Sequence, residues 1–172
     1  MEILEIHSLD ALAGGEQGLP AGGAREMPAD TVSGARPFIP PEVMVADLLG
    51  LMEELDPTLK VTPAMLRAAA EDPNTHMFVA MEDGHVIGTA SLCVMHCPSE
   101  VKARIEDVAV ASSQRGRGIG RRLMEHMLEF ARRELAPVEL NLTSRPARVA
   151  ANQLYRSLGF LPYETNVYKM KL

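Results

Sequence analysis

The chain has 172 residues, of which 47% are hydrophobic and 23% are charged, and this composition predicts a single globular domain over residues 1–172. Its net charge of −6 at pH 7 argues against a nucleic-acid partner, because such proteins usually carry a basic patch. No apolar run is long enough to span a bilayer, and the first residues lack the basic flank and apolar stretch of a signal peptide. Composition therefore favours a cytoplasmic protein without a nucleic-acid or membrane partner.

The N-terminal part combines a short strand, a long loop and two helices. Glu2–Ile6 has the alternation of a strand, whereas residues 13–41 form a long Gly/Pro-rich loop or insertion. This loop is either a flexible extension or a segment that folds over the active site. Apolar residues at helical spacing over 44–55 predict the first helix. The second helix begins with Thr62 as its cap and Pro63 in its first turn.

Strand patterns dominate the middle of the chain. His76–Met81 and His85–Met95 flank Asp83 and Gly84, and an Asp-Gly pair between two strands predicts a β-hairpin. Lys102–Ala111 predicts a further strand.

The C-terminal part alternates between helices and strands. Residues 117–135 carry an apolar stripe at helical spacing and predict a long helix. Val138–Leu142 predicts a short strand, and Pro146–Leu158 predicts a helix with proline at its start and Gly159 at its end. Tyr163–Leu172 alternates as a last strand would.

The most informative segment is the glycine-rich loop, Gln114–Arg121, which lies between a predicted strand and the long helix. Its three glycines occupy every second position, so the backbone can come close to a ligand and adopt positive φ. The helix that follows adds unpaired N–H donors and a dipole that favours an anion. A Walker loop would need a Lys-Ser or Lys-Thr pair here, and the glycine spacing differs from that of a dinucleotide fingerprint. The loop therefore predicts a pyrophosphate site of another kind.

Three segments of the sequence resemble the signatures of one family. Arg115–Gly120 matches the Arg/Gln-x-x-Gly-x-Gly/Ala signature of the GNAT superfamily, the acyl-CoA-dependent N-acyltransferases. Ile105–Val110 and Ala151–Phe160 resemble the other two signatures, in the expected order, and the resemblance extends over residues 76–172 and more loosely over 40–75. It implies a mixed α/β (α+β) fold, with a mostly antiparallel sheet, one splayed parallel strand pair and helices on both faces. It also implies acetyl-CoA as the co-substrate.

The same resemblance suggests how the co-substrate is bound. Backbone groups of Val108, Ala109 and Val110 would pair with the pantetheine arm, as an added strand pairs with a sheet edge. Asn152 would contact the arm as well. The pyrophosphate would lie on backbone donors, with further side-chain contacts from Gln114 and Arg115; the residues that supply the backbone donors are Gly116, Arg117, Gly118, Ile119, Gly120 and Arg121.

Three residues are candidates for the chemistry. The resemblance implies that Tyr155 is the general acid, and a phenol suits this role because it stays protonated at neutral pH. Glu106 and Asp107 are neighbouring acids in a predicted strand, and either one could take the proton of the ammonium group or play a structural part. Cys93, His96 and Cys97 lack a clear fourth ligand, so no metal site is predicted.

Two functions of different class fit these residues. The first is an N-acetyltransferase that acts by direct attack in a ternary complex on a small-molecule amine or a peptide amine. The alternative is a non-catalytic acyl-CoA-binding sensor or regulatory module, which would have no need of Tyr155. The resemblance also suggests a homodimer formed through the last strands.

Overall fold

The computed structural model describes residues 1–9 and 39–171. The long loop predicted over residues 13–41 lies outside these residues, apart from 39–41. The chain divides into two compact units, Met1–Asn141 and Leu142–Leu172. The prediction of a single domain over the whole chain stays a prediction.

The described residues form one five-stranded sheet, which begins at Glu2 and ends at Leu142. Its strands follow one another in chain order, β1-β2-β3-β4-β5, and neighbouring strands are hydrogen-bonded. The first three pairings are antiparallel and the β4–β5 pairing is parallel, so the predicted sheet type is confirmed. The strand bounds are Glu2–Ile6, Thr75–Glu82, His85–His96, Val101–Val110 and Glu139–Leu142.

Among the residues that the structure describes, three α-helices belong to the first unit and one to the second. A 3₁₀ turn, Ser112–Gln114, precedes the third helix, and a π-helical turn, Ala131–Leu135, follows it. The four α-helices are, in chain order, α1 Pro41–Leu55, α2 Pro63–Glu71, α3 Ile119–Phe130 and α4 Val149–Ser157.

The alternating side chains of β2 contact helices on opposite faces of the sheet. Met77 and Val79 belong to one buried cluster with Met44 of α1 and Leu66 of α2. Phe78 points to the other face, where its ring packs edge-on against Phe130 of α3 with the ring centroids 5.5 Å apart. Helices therefore cover both faces, as predicted.

Local signals in the sequence place several element ends correctly. Asp83 and Gly84 both have positive φ (52° and 78°), which is the backbone of a type I′ hairpin turn. Thr62 caps α2, because its hydroxyl accepts a hydrogen bond from the N–H of Met65 at 3.3 Å.

The predicted start of the last helix is wrong. Pro146 lies in a turn in which the N–H of Arg148 donates to the carbonyl of Arg145 at 3.0 Å, and α4 begins only at Val149. Proline suits the second position of such a turn as well as it suits the first turn of a helix, so the residue type alone could not distinguish them.

The strand predicted over Tyr163–Leu172 is also absent from the residues that the structure describes there, 163–171. Tyr163 and Tyr168 have exposed fractions of 86% and 88%. A strand forms only when a neighbouring strand accepts its hydrogen bonds, and alternation along one segment says nothing about such a partner.

Candidate active site

Strand β4 carries a β-bulge at the two predicted acids. Glu106 lies opposite Ser91, and Ala109 lies opposite Thr89. Asp107 and Val108 therefore both face the single residue Ala90, which is the two-against-one arrangement of a bulge. Asp107 has a φ of +53°, a left-handed conformation that aspartate tolerates better than most residues. The bulge takes these two residues out of the regular ladder with β3.

Glu106 and Asp107 differ in their surroundings. Glu106 forms an ion pair with Arg104, whose Nε donates to its carboxylate. Asp107 is an exposed residue, yet the protein around its carboxyl group displaces enough water to raise its pKa, and the charge of Glu106 raises it further. The two adjacent acids are therefore chemically distinct.

Directly opposed residues of neighbouring strands point to the same face of a sheet. Glu106 is opposed by Ser91, and Ser91 is opposed by Met77 of the cluster formed with α1 and α2. Glu106 therefore lies on the face covered by the two N-terminal helices, while α3 covers the other face.

The glycine-rich loop leads from the 3₁₀ turn into α3. Gly116 and Gly118 have φ values of +80° and +76°, and a Cβ added at either one would meet no atom within 4 Å. Gly118 is the N-cap of α3, and no side chain caps this end. The helical hydrogen bond nearest this end runs from the N–H of Arg122 to the carbonyl of Gly118 at 3.1 Å. By helix geometry, the N–H groups of the residues between them have no acceptor within the helix, so an anion could bind them.

The arginine side chains of the loop contact other parts of the protein. Arg115 donates from Nη2 to Oε2 of Glu54 on α1 at 3.2 Å and from Nε to the carbonyl of Val110 at 3.1 Å. Arg117 makes a two-pronged contact with Glu82 of β2, at 2.7 and 3.0 Å. The guanidinium groups of Arg115 and Arg117 are therefore bound by Glu54 and Glu82 of the first unit, and the loop presents its backbone to a ligand.

Glu54 also forms hydrogen bonds with Ser112, the first residue of the 3₁₀ turn. Its carboxylate accepts hydrogen bonds from the backbone N–H of Ser112 at 2.7 Å and from the hydroxyl of Ser112 at 3.2 Å. Sequence reasoning missed both Glu54 and Glu82, because nothing in the local pattern of α1 or β2 indicates a contact with a loop 35 to 61 residues away.

In the second unit, Asn152 and Tyr155 lie on α4. The side-chain amide nitrogen of Asn152 donates to the carbonyls of Arg145 and Arg148, at 2.9 Å each, so it joins the turn before the helix to the helix itself. Tyr155 is half-buried, and burial raises the pKa of its phenol, while the positive charge of Arg148 acts in the opposite direction.

The C-terminus of α4 fixes the ring of Tyr155. Gly159 has a φ of +96°, its N–H donates to the carbonyl of Arg156, and the N–H of Phe160 donates to the carbonyl of Tyr155, each at 3.1 Å. These two bonds form a Schellman motif, in which an apolar contact usually accompanies the hydrogen bonds. The rings of Tyr155 and Phe160 make this contact edge-on, with centroids 6.3 Å apart.

No group of three or more His, Cys, Asp or Glu side chains that could hold a metal ion occurs within residues 1–9 and 39–171. Cys93 and Cys97 are free thiols. Across the same residues, no helix combines the length and the apolar character needed to cross a bilayer.

The class of the protein follows from comparison of its sequence with family models. The model of the acetyltransferase (GNAT) family matches residues 44–160, which include the bulged strand, the glycine-rich loop and α4. Because this match covers more than half of the chain, the chain belongs to the GNAT family, and the resemblance of the three sequence segments is confirmed.

Individual relatives are GNAT-type acetyltransferases. N-alpha-acetyltransferase RimI of Mycobacterium tuberculosis (strain ATCC 25618 / H37Rv) is 32% identical over 98 residues, which are 57% of this chain and 60% of the relative. Streptothricin acetyltransferase of Streptomyces lavendulae is 38% identical over 94 residues, which are 54% of this chain and 48% of the relative. The chain thus spans about half to three fifths of the length of these two relatives.

Known structures agree with the fold. A putative acetyltransferase from Agrobacterium tumefaciens str. C58 superimposes with a TM-score of 0.66 at 27% identity, covering 74% of this chain and 93% of the other. AAC(6')-Iy, solved in complex with the bisubstrate analog CoA-S-monomethyl-acetylneamine, gives a TM-score of 0.62 at 22% identity, with 74% and 91% covered. At that identity the second likeness shows the fold alone.

Proposed function

We propose that the protein transfers the acetyl group of acetyl-CoA to a primary amine by direct attack in a ternary complex. The observation that carries this proposal is the glycine-rich loop, which combines two positive-φ glycines with the uncapped N-terminus of α3 in a chain of the GNAT family. In the reaction, the amine nitrogen forms a bond with the thioester carbonyl carbon, and the carbon–sulfur bond breaks. The ammonium group must lose a proton, and the departing thiolate must gain one.

The backbone of the loop fits a pyrophosphate. The open space beside Gly116 and Gly118 lets an anion reach the main chain, and the N-terminus of α3 adds donors and a favourable dipole. Gly116 to Arg121 would supply these donors. Val108, Ala109 and Val110 of β4 would pair with the pantetheine arm through main-chain groups, as an added strand pairs with a sheet edge. Asn152 would reach the arm with its side chain; its amide nitrogen already serves the turn before α4.

We assign the general base to Asp107 rather than Glu106. A base works best when its pKa lies close to the working pH, and the pKa of Asp107 is raised towards that range. Glu106 is already paired with Arg104, whose positive charge offsets its own, so we give it a structural part on the face covered by α1 and α2.

We assign the general acid to Tyr155. Its raised pKa keeps the phenol protonated at neutral pH, which is what a donor to a thiolate requires. The Schellman motif and the contact with Phe160 give the ring a fixed orientation on α4. A module that only bound acyl-CoA would need no such acid.

The acceptor is a primary amine, on a small molecule or on a peptide. One relative is named an N-alpha-acetyltransferase and the other a streptothricin acetyltransferase, and these names support an amine acceptor without choosing between the two kinds. We propose that the reaction takes place in the cytoplasm. We also propose that the protein is a homodimer, and a light-scattering measurement of its mass would check this.

The deciding experiment measures free thiol released from acetyl-CoA in the presence of polyamines, amino sugars, aminoglycosides, amino acids or lysine peptides. Release that depends on one amine class supports the proposal and identifies the acceptor chemistry. A protein that binds CoA but releases no thiol with any class would instead support the non-catalytic acyl-CoA-binding module.

A further inference from the structure

Two carboxylates from outside the glycine-rich loop accept hydrogen bonds from the loop and from the 3₁₀ turn before it. Glu54 of α1 accepts three: from the N–H and the hydroxyl of Ser112 and from the guanidinium of Arg115. Arg115 also donates a hydrogen bond from Nε to the carbonyl of Val110, the last residue of β4. The path of the chain from β4 into the loop is therefore tied to α1 at two successive points.

The second carboxylate holds the middle of the loop. Glu82, at the end of β2, accepts hydrogen bonds from Nη1 and Nη2 of Arg117, and Arg117 also donates to the side chain of Gln114. Two parallel hydrogen bonds between a guanidinium and a carboxylate fix direction as well as distance. Arg117 stands between the two positive-φ glycines, so this contact restrains the part of the backbone that would meet an anion.

We infer that Glu54 and Glu82 are positioning residues for the phosphate-binding backbone. Arg115 and Arg117 then stabilise the loop through their contacts with these carboxylates and are not phosphate ligands. The inference rests on the proposed function, since it concerns how the loop binds CoA. It reverses the sequence-based expectation that Gln114 and Arg115 contact the co-substrate through their side chains.

The two possible roles of the arginines predict effects of opposite sign. A carboxylate close to a pyrophosphate repels it, so removing the carboxylate should by itself strengthen CoA binding. If Arg115 were a phosphate ligand held back by Glu54, removing Glu54 would also release it and strengthen binding further. If Glu54 instead orders the backbone, its removal weakens binding despite the lost repulsion. A loss of affinity therefore identifies the positioning role.

The test compares CoA affinity by calorimetry in Glu54→Ala, Arg115→Ala, the double variant and Glu54→Gln. Glu53→Gln is the matched control, because it removes the same charge from the neighbouring exposed position on α1. We expect Glu54→Ala and Arg115→Ala each to weaken binding about 3- to 10-fold, as suits exposed charged contacts. The double variant should be weaker by less than the product of the two, and Glu54→Gln should recover part of the loss. Equal or tighter binding in Glu54→Ala would overturn the inference.

A second measurement does not depend on any ligand. Hydrogen exchange of the free protein should be faster over residues 110–118 in Glu54→Ala, with the core strands and the melting temperature unchanged, and Glu82→Ala should act in the same way around Arg117. Unchanged exchange in both variants would contradict the inference even if CoA bound normally. Failure of the parent protein to bind CoA would contradict the proposed function, whereas the exchange data would still decide whether the carboxylates order the loop.

Discussion

The proposed role of Tyr155 as the general acid can be tested by a change confined to its hydroxyl group. Replacing Tyr155 with Phe keeps the ring that packs on Phe160 and removes only the hydroxyl. We therefore expect kcat to fall about 100-fold, the lower end of the range for general acid catalysis, with little change in the KM for acetyl-CoA. Steady-state thiol release measures both constants. Tyr163→Phe is the matched control, because that phenol is 86% exposed; a parent-like kcat in Tyr155→Phe would remove Tyr155 from the mechanism.

Asp107 permits a test in which activity and stability move in opposite directions. Its folded-state pKa is raised, so the folded protein holds this proton more tightly than the unfolded chain does. Stability from this group is present at low pH and is lost as pH rises from the unfolded pKa through the folded one. At neutral pH the ionised carboxylate therefore destabilises the fold.

The variant Asp107→Asn removes this charge and keeps a side chain that tolerates the φ of +53°. We expect a melting temperature at pH 7 equal to or above that of the parent, and a kcat/KM lower by about 100-fold. The rising limb of the parent pH–rate profile that belongs to Asp107 should disappear as well. Glu106→Gln is the comparison, and a greater loss of activity in that variant than in Asp107→Asn would assign the base to Glu106.

At the scale of elements, helix α3 comes unusually close to the sheet at Gly88. A Cβ at this position would lie 3.1 Å from the carbonyl oxygen of Ala109, 3.1 Å from Cδ1 of Leu123 and 3.3 Å from Cγ2 of Ile119. The backbone oxygen cannot rotate away, so the strand and the helix must separate slightly. Gly88 is thus the residue that allows the first turn of α3, next to the glycine-rich loop, to rest on β3 and β4.

We expect Gly88→Ala to lower the free energy of unfolding by about 1–3 kcal/mol, the usual effect of overpacking. Urea denaturation measures this change. Gly50→Ala provides the control, because Gly50 lies in α1 with no atom within 4 Å of an added Cβ. There the same substitution should stabilise the protein by about 0.5–1 kcal/mol through helix propensity. A Gly88→Ala variant as stable as the parent would show that the helix can shift without cost.

The elements that local chemistry specifies were the ones that sequence analysis predicted correctly. The Asp83-Gly84 turn and the Thr62 cap each depend on residue types that favour that local structure wherever they occur. Pro146 and the final alternating segment failed for a different reason. Their patterns are compatible with two structures, and the choice depends on partners elsewhere in the chain.

At the scale of the whole molecule, the same distinction separates the predicted site from the site that the structure describes. The glycine spacing and the following apolar stripe predicted positive-φ glycines at the start of a helix, and the structure has both, because both features are local. The contacts of Glu54 and Glu82 join residues far apart in sequence, and the bulge at Asp107 appears only when β4 is paired with β3. Such features depend on the assembled sheet, so no local pattern could have indicated them.

Binding of CoA should stabilise the fold as a whole, because only the folded chain assembles the glycine-rich loop against α1 and β2. At a concentration 100 times its Kd, CoA should add about 2.7 kcal/mol to the free energy of unfolding. For a protein of this size, that corresponds to a rise in Tm of roughly 5–10 °C, which differential scanning fluorimetry detects. Pantetheine is the matched control, because it carries the thiol arm and lacks the pyrophosphate. A Tm that rises with CoA and not with equimolar pantetheine would support phosphate binding by the loop. Equal shifts would show that the pantetheine arm supplies the binding energy, and they would contradict the role given to the glycine-rich loop.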